Sequence, residues 1–216
     1  MYKAIIFDLD GTLIDSLEDL ANAVNYGLEK MGYKPHPVEK YKKFVGNGAI
    51  KLCERALAEY TDYKGETEIL HGYFSEYYNA HCTDMTAPYE GISDLLSELG
   101  NNRIRIAVAS NKPDEFTKSI ISTVFRGVPF AAVYGKRENR ETKPAPDIVF
   151  DILHDLNLNK EDVILAGDSN VDIMTAANAG IKSIGCTWGF RTREELEEAG
   201  ADFIVNSPEE ILEFVL

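Results

Sequence analysis

Asp8-Leu9-Asp10-Gly11 sets two carboxylates two residues apart, directly after the short apolar run Ala4-Ile5-Ile6-Phe7. Side chains alternate along an extended chain, so both carboxylates point toward one region. Such a pair can hold a hard cation through oxygen, or divide nucleophilic and proton-transfer work between its members. Gly11 permits a tight turn and can offer an amide to an anion.

Three more sets have the same character. In Ser110-Asn111-Lys112-Pro113 a hydroxyl and an amide stand before a helix, where exposed N–H groups and the helix dipole favour phosphate. In Lys143-Pro144-Ala145-Pro146 a lysine is set by a proline-rich turn and can neutralise a phosphate or a nearby carboxylate. In Gly167-Asp168-Ser169-Asn170-Val171-Asp172 two carboxylates four residues apart share a helix face. That spacing suits a direct metal ligand with a supporting carboxylate that orients metal-bound water. Each set has an ordinary explanation as a turn, a helix cap or a solvated lysine. Their joint order along the chain is what those explanations leave out.

The elements that must position these groups follow from hydrophobic period. Ala4–Phe7 reads as a buried strand. Helical spacing then runs from Leu17 to Met31, with Ser16 as N-cap, and a second helix is expected from Pro37 to Val45. A third is expected with Ile50, Cys53, Leu57 and Tyr60 on one face, and a fourth around Ile69, Leu70, Tyr73, Phe74, Tyr77 and Tyr78, whose aromatic residues read as core. From Gly91 onward strands and helices alternate. Strands are expected over 104–109, 130–134, 162–166, 181–186 and 202–205. This pattern predicts an α/β fold: a doubly wound parallel sheet with an inserted all-helical cap domain. Residues 1–15 and 87–216 form the predicted core and 16–86 the cap. Ligands bind beyond the carboxyl ends of such strands, and the suggestive residues lie there.

Bulk properties narrow the class. The 216 residues are 44% hydrophobic and 27% charged, as in ordinary globular proteins. A net charge of -14 disfavours nucleic acid and anionic membranes. A phosphate site in such a chain must supply its own positive charge. Three widely spaced cysteines suggest reduced thiols and a cytoplasmic setting. The N-terminus does not resemble a signal peptide. If these sets bind phosphate, the expected partner is a small-molecule phosphate substrate, with no nucleic acid and no membrane, and the chain itself is expected to be a monomer or homodimer. His36, His71, His81 and His154 show no ligand spacing.

Taken together, the four sets resemble the motifs of the haloacid dehalogenase-like hydrolase superfamily over essentially the whole chain. The resemblance implies a phosphatase with Asp8 as nucleophile and Asp10 as general acid and then base. It implies Mg²⁺ held by the Asp8 carboxylate, the Asp10 backbone carbonyl and Asp168, with Asp172 anchoring metal-bound water. Phosphate binding would fall to Gly11, Thr12, Ser110, Asn111 and Lys143. A carboxylate at Asp10 sets the chain apart from the dehalogenases. Hinges are expected near Asp15-Ser16 and Thr86-Ala87-Pro88, and substrate choice in the cap, at Gly46-Asn47-Gly48 with Lys51 and Arg55. The Gly46-Asn47-Gly48 loop and Trp188-Gly189-Phe190 are similar to those of phosphoglycolate phosphatases, which points to 2-phosphoglycolate. Pyrophosphate, sugar phosphates and nucleotides stand as alternative substrates. A sugar-phosphate mutase and a non-catalytic phosphate-binding regulator stand as alternative classes.

Overall fold

The computed structural model describes residues 1–61, 63 and 65–216. In chain order the elements are β1 (Ala4–Phe7), β2 (Ile14–Asp15), α1 (Leu17–Lys30), α2 (Ala49–Leu57), α3 (Thr67–His81), β3 (Ala87–Pro88), α4 (Ile92–Asn101), β4 (Arg105–Pro113) and α5 (Asp114–Val124). They continue with β5 (Phe130–Lys136), α6 (Asp147–Leu156), β6 (Val163–Gly167), α7 (Asn170–Ala179), β7 (Lys182–Cys186), α8 (Arg193–Glu198), β8 (Phe203–Val205) and α9 (Leu212–Val215). Short 3₁₀ turns lie at Val38–Lys43, Lys160–Asp162 and Pro208–Ile211.

Six strands form one parallel sheet in the order β5-β4-β1-β6-β7-β8. β1 lies in the middle because its four residues are apolar and buried on both faces. Ile5 and Phe7 pack on one side with Ile106, Val108 and Ile164, under α4, α5 and the C-terminal turns. Ala4 and Ile6 pack on the other with Ala107, Leu165 and the apolar faces of α6 and α7. The chain order reverses between β1 and β6, so a crevice opens at their carboxyl ends. Asp8 leaves one of those ends and Asp168 the other.

Between β1 and β4 the chain builds a helical layer with its own core, in which Leu20, Val24 and Leu28 of α1 meet Leu52 and Ala56 of α2 and Leu70, Phe74 and Tyr78 of α3. β2 and β3 pair antiparallel, Ile14 with Pro88 and Asp15 with Ala87, where the chain enters and leaves this layer. The buried Asp19 carboxylate closes the junction. It accepts the Met85 amide at 3.1 Å, and the Thr86 amide and hydroxyl at 2.8 and 2.7 Å.

Four local expectations are corrected. The segment after Pro37 is a six-residue 3₁₀ turn rather than a regular helix stopping before Val45; Pro37 itself is extended and only Tyr41 of the turn is buried. α2 buries Leu52, Cys53, Ala56 and Leu57, while Ile50 is exposed and Tyr60 lies beyond the helix, so the apolar face is turned from the expected one. Ser16 makes no N-cap bond; its hydroxyl donates to Asp10 Oδ1 at 2.5 Å, and Asp15 Oδ1 accepts the Leu17 amide instead. β4 runs on to Pro113 because its polar end, Ser110-Asn111-Lys112, is buried. Hydrophobic pattern stops at the first polar residue, whereas the backbone ladder does not.

Candidate active site

The loop after β1 folds back on itself. The Gly11 amide donates to the Ile14 carbonyl at 2.9 Å and the Thr12 amide to that of Leu9 at 3.3 Å. The Gly11 amide expected to face an anion is therefore taken up by the loop, as is the amide of Thr12. The Thr12 hydroxyl donates to Asp168 Oδ1 at 3.3 Å, and Thr12 is fully buried. Gly11 has φ +90°, and a Cβ there would lie 2.4 Å from Asp168 Oδ2. Gly11 and Thr12 thus carry the packing between the two carboxylate-bearing loops.

Lys143 comes in from the turn before α6. Its Nζ donates to Asp8 Oδ1 at 2.8 Å, Asp172 Oδ1 at 2.6 Å and the Ala109 carbonyl at 2.8 Å. Burial alone would favour the neutral amine. The attraction of Asp172 and Asp8 outweighs it and raises the Lys143 pKa above its ordinary value. Asp172 is held in turn by Ser169, whose amide and hydroxyl donate to Oδ2 at 3.2 and 2.6 Å in a capping box at the start of α7.

Asp8, Asp168 and Asp172 offer oxygens that all lie within 4.8 Å of one another. Burial first, then Asp172, pushes the Asp8 carboxyl well above the usual carboxylate range, with Lys143 opposing the shift. The same two causes push Asp168 up to about 7. Two buried carboxylates and the partly buried Asp8 around one ammonium leave an excess of negative charge. An all-oxygen donor set with that excess suits a divalent hard cation.

The segment after β7 presses on this centre. The Phe190 amide donates to Asp168 Oδ2 at 2.7 Å and Trp188 Nε1 to the Thr12 carbonyl at 3.0 Å. A Cβ on Gly189 would lie 2.3 Å from the Gly11 carbonyl oxygen, so this close approach requires glycine.

A cavity of about 310 Å³ lies between the sheet and the helical layer. The core contributes Asp8, Asp10, Ser110, Lys112, Lys143 and Phe116; the cap contributes Val45, Gly46, Gly48, Leu52, His71 and Tyr78. Two side-chain struts tie the cap to the core beside it. The Asn111 side chain donates to the Gly46 carbonyl at 3.2 Å and to the Lys143 carbonyl at 3.0 Å, and accepts the Lys143 amide at 2.8 Å. Expected to bind phosphate, that side chain is instead a strut from core to cap. Arg191 adds a second strut, donating to the Lys42 carbonyl and to that of Val45 at 2.7 Å.

Of the cap residues expected at the substrate, Gly46 and Gly48 reach the cavity, with φ of +126° and +85°. Lys51 and Arg55 do not line it. Lys51 is exposed and pairs with Glu54 at 2.6 Å, one turn along the same helix. Arg55 lies behind the loop, donating to the Phe44 carbonyl at 2.7 Å and to Asn47 Oδ1 at 2.5 Å, and so turns the Asn47 side chain to itself. The residue that sequence reasoning missed is Lys112. It is buried, its Nζ lies 3.0 Å from Asp10 Oδ2, and it donates to the Tyr78 hydroxyl at 2.9 Å. Burial disfavours its charge, yet Asp10 and Tyr78 raise its pKa above the ordinary ammonium value. The available signal was its position two residues after Ser110. His71, given no role, also lines the cavity.

An aspartate pair at the end of a central parallel strand, beneath an inserted helical cap, is the layout of a capped α/β hydrolase. The chain belongs to the haloacid dehalogenase-like hydrolases, matching that family over residues 5–186. It is 31% identical to phosphoglycolate phosphatase 1 of Pseudomonas aeruginosa, over 97% of this chain and 78% of that one. It is 32% identical to the phosphoglycolate phosphatase of Vibrio parahaemolyticus, over 99% and 96%. A crystal structure from Lactobacillus delbrueckii subsp. bulgaricus, assigned as a phosphoglycolate phosphatase, superposes with a TM-score of 0.95 at 33% identity, covering 100% of this chain and 98% of that one. Within its family the chain falls with the phosphatases, as a phosphoric monoester hydrolase. Among the described residues, no helix is long and apolar enough to cross a membrane.

Proposed function

We propose that the chain hydrolyses 2-phosphoglycolate through an aspartyl-phosphate on Asp8, with Mg²⁺ as cofactor. The observation that carries this reading is Lys143 Nζ, 2.8 Å from Asp8 Oδ1 in the wall of the cavity. A carboxylate approaching a phosphate dianion meets like-charge repulsion, and a fixed ammonium beside the attacking oxygen reduces it. Asp8, Asp168 and the Asp10 backbone carbonyl would hold Mg²⁺, with Asp172 supporting it. When bound, the ion offsets charge on the transferring phosphoryl group.

In the first half-reaction a carboxylate oxygen of Asp8 attacks phosphorus and the bond to the glycolate oxygen breaks. Asp10 gives that oxygen its proton. In the second, water attacks phosphorus, Asp10 takes the proton back, and the bond to Asp8 breaks with release of inorganic phosphate. Ser110, buried and facing the cavity, supplies a hydroxyl for a phosphoryl oxygen. The cap over residues 16–86 excludes bulk water and selects the leaving group. The names of the relatives and the positive-φ glycines of the cap loop support the choice of substrate.

Phosphate release is measured with Mg²⁺ from 2-phosphoglycolate, pyrophosphate, glucose phosphates, nucleoside monophosphates and an aryl phosphate. The expected result is strong preference for 2-phosphoglycolate, lost with chelator and reduced at least about 10⁴-fold in Asp8→Asn. Activity that survives Asp8→Asn overturns the mechanism. Preference for another ester keeps the mechanism and discards the substrate. Isomer formation without phosphate release would mark a mutase, and binding without turnover a regulator.

A further inference from the structure

Resting on the phosphatase reading, we propose that Lys112, aimed by Tyr78 and joined by the N-terminus of α2, is the subsite for the substrate's carboxylate and so decides which phosphate esters are accepted. Three observations converge on it.

The first is a donor left over. An ammonium has three N–H groups. The contacts of Lys112 Nζ within the described chain are Asp10 Oδ2 at 3.0 Å and the Tyr78 hydroxyl at 2.9 Å, which use two. The group is buried and borders the cavity. A buried charge with a free donor beside an open volume attracts an anionic acceptor.

The second is the start of α2. Gly48 and Ala49 line the same cavity. This nine-residue helix has no capping side chain, and no acidic residue in its first turn. Its first N–H groups and the positive end of its dipole therefore lack compensation from the helix itself. Gly48, at φ +85°, lets the backbone come close to a ligand there.

The third is the placement of charge. Lys143 is committed to Asp8, Asp172 and the Ala109 carbonyl. Besides Asp10, which already pairs with Lys112, the acidic residue on the wall away from the Asp8 centre is Glu115. An ammonium shared with Asp10 and one helix terminus fit a single carboxylate better than a second phosphate. The apolar wall from Val45, Leu52 and Phe116 suits a short carbon chain between the two anionic groups.

Tyr78 is the positioning residue. It belongs to α3 of the cap, and its hydroxyl meets Lys112 with the cap closed. The ring of Tyr78 also faces the ammonium, 4.9 Å from its centroid. The subsite is complete only in the closed form.

The test uses two phosphonates that cannot be hydrolysed, titrated calorimetrically into the Mg²⁺-loaded protein. 3-Phosphonopropionate carries the carboxylate, and propylphosphonate lacks it. Wild type is expected to bind the first about 10- to 100-fold more tightly, the range of a charge-assisted hydrogen bond. In Lys112→Met the ratio falls toward one, whatever happens to phosphonate affinity itself. In Tyr78→Phe it falls part way, and melting curves of both variants establish that they fold. A wild-type ratio near one overturns the subsite while leaving the phosphatase reading intact. A ratio that survives Lys112→Met also overturns it. If wild type binds neither phosphonate, the phosphoryl pocket itself is misread and both proposals fall.

Discussion

Lys143 and Lys112 are both buried, and each lies against a different carboxylate of the loop after β1, Lys143 at 2.8 Å from Asp8 and Lys112 at 3.0 Å from Asp10. Their surroundings differ. Every acceptor of Lys143 belongs to the core: Asp8, the Ala109 carbonyl of β4 and Asp172 of α7. Lys112 divides its contacts between the core, through Asp10, and the cap, through Tyr78. Among the described residues, the Asp8 side of the site takes its contacts from the core alone, and the Asp10 side takes one from the cap. On the proposed function, reactivity would rest on the sheet edge and selectivity on the helical layer.

The strongest way to break this comparison is Lys143→Met. It leaves the buried Asp172 and the partly buried Asp8 without their shared cation. Removing one partner of a buried pair costs about 3–5 kcal/mol, and the loss of transition-state charge stabilisation lowers kcat by about 10²–10³-fold. Because, among the described residues, the acceptors of the Lys143 ammonium all belong to the core, the loss should be the same for 2-phosphoglycolate and an aryl phosphate. Steady-state kinetics on both esters and a denaturant titration read the two effects. A loss that depended strongly on the leaving group would erase the distinction between the two lysines.

The same contrast governs how much was legible in the sequence. Core residues sit at successive strand ends, so strand period alone brings Asp8, Ser110 and Asp168 to one edge. The parallel order around β1 follows from alternating strands and helices. Lys112 was invisible for a physical reason: it extends β4 beyond its apolar run, and its importance depends on Tyr78, 34 residues earlier in the chain. The cap was misjudged for a related reason. Lys51 and Arg55 follow Gly48 at helical spacing, but which face of α2 turns inward is set by packing against α1 and α3, not by spacing. That packing buries Leu52 and Ala56, leaves Lys51 to solvent and turns Arg55 behind the loop. Gly11 and Thr12 were given to phosphate because loop amides often serve it; here the loop closes on itself and uses them.

A second experiment sharpens the core half of the comparison. Burial and the neighbouring Asp172 raise Asp168 from 3.8 to about 7. Without metal, the folded protein therefore keeps a proton at this site that the unfolded chain has already lost. The site's contribution to stability falls as pH rises from about 4 to about 7, and stays low above that. Cation binding requires the deprotonated carboxylate, so it opposes this loss and strengthens with pH. The Mg²⁺-induced rise in melting temperature should be larger near pH 8 than near pH 6. At a hundredfold excess over Kd it should correspond to about 2.7 kcal/mol. A rise independent of pH would mean that the cation does not sit among these carboxylates.

The smallest expected effects lie in the cap, and there two neighbouring basic residues should part company. Arg55 donates to the Phe44 carbonyl and to Asn47, bracing the loop whose glycines face the cavity. Burial, then the nearby Arg191, lowers its pKa from the usual guanidinium value, so it holds this place against a cost. Arg55→Ala should loosen the loop by about 1–2 kcal/mol and raise KM for 2-phosphoglycolate several-fold with little change in kcat. Among the described residues Lys51 pairs with Glu54, both partners near half exposed, and such pairs contribute at most about 1 kcal/mol. Lys51→Ala should change kcat/KM by less than about twofold. If Lys51→Ala raised KM more than Arg55→Ala did, the exposed face of α2 would have to meet substrate. The cavity would then not be the chamber in which the leaving group is read.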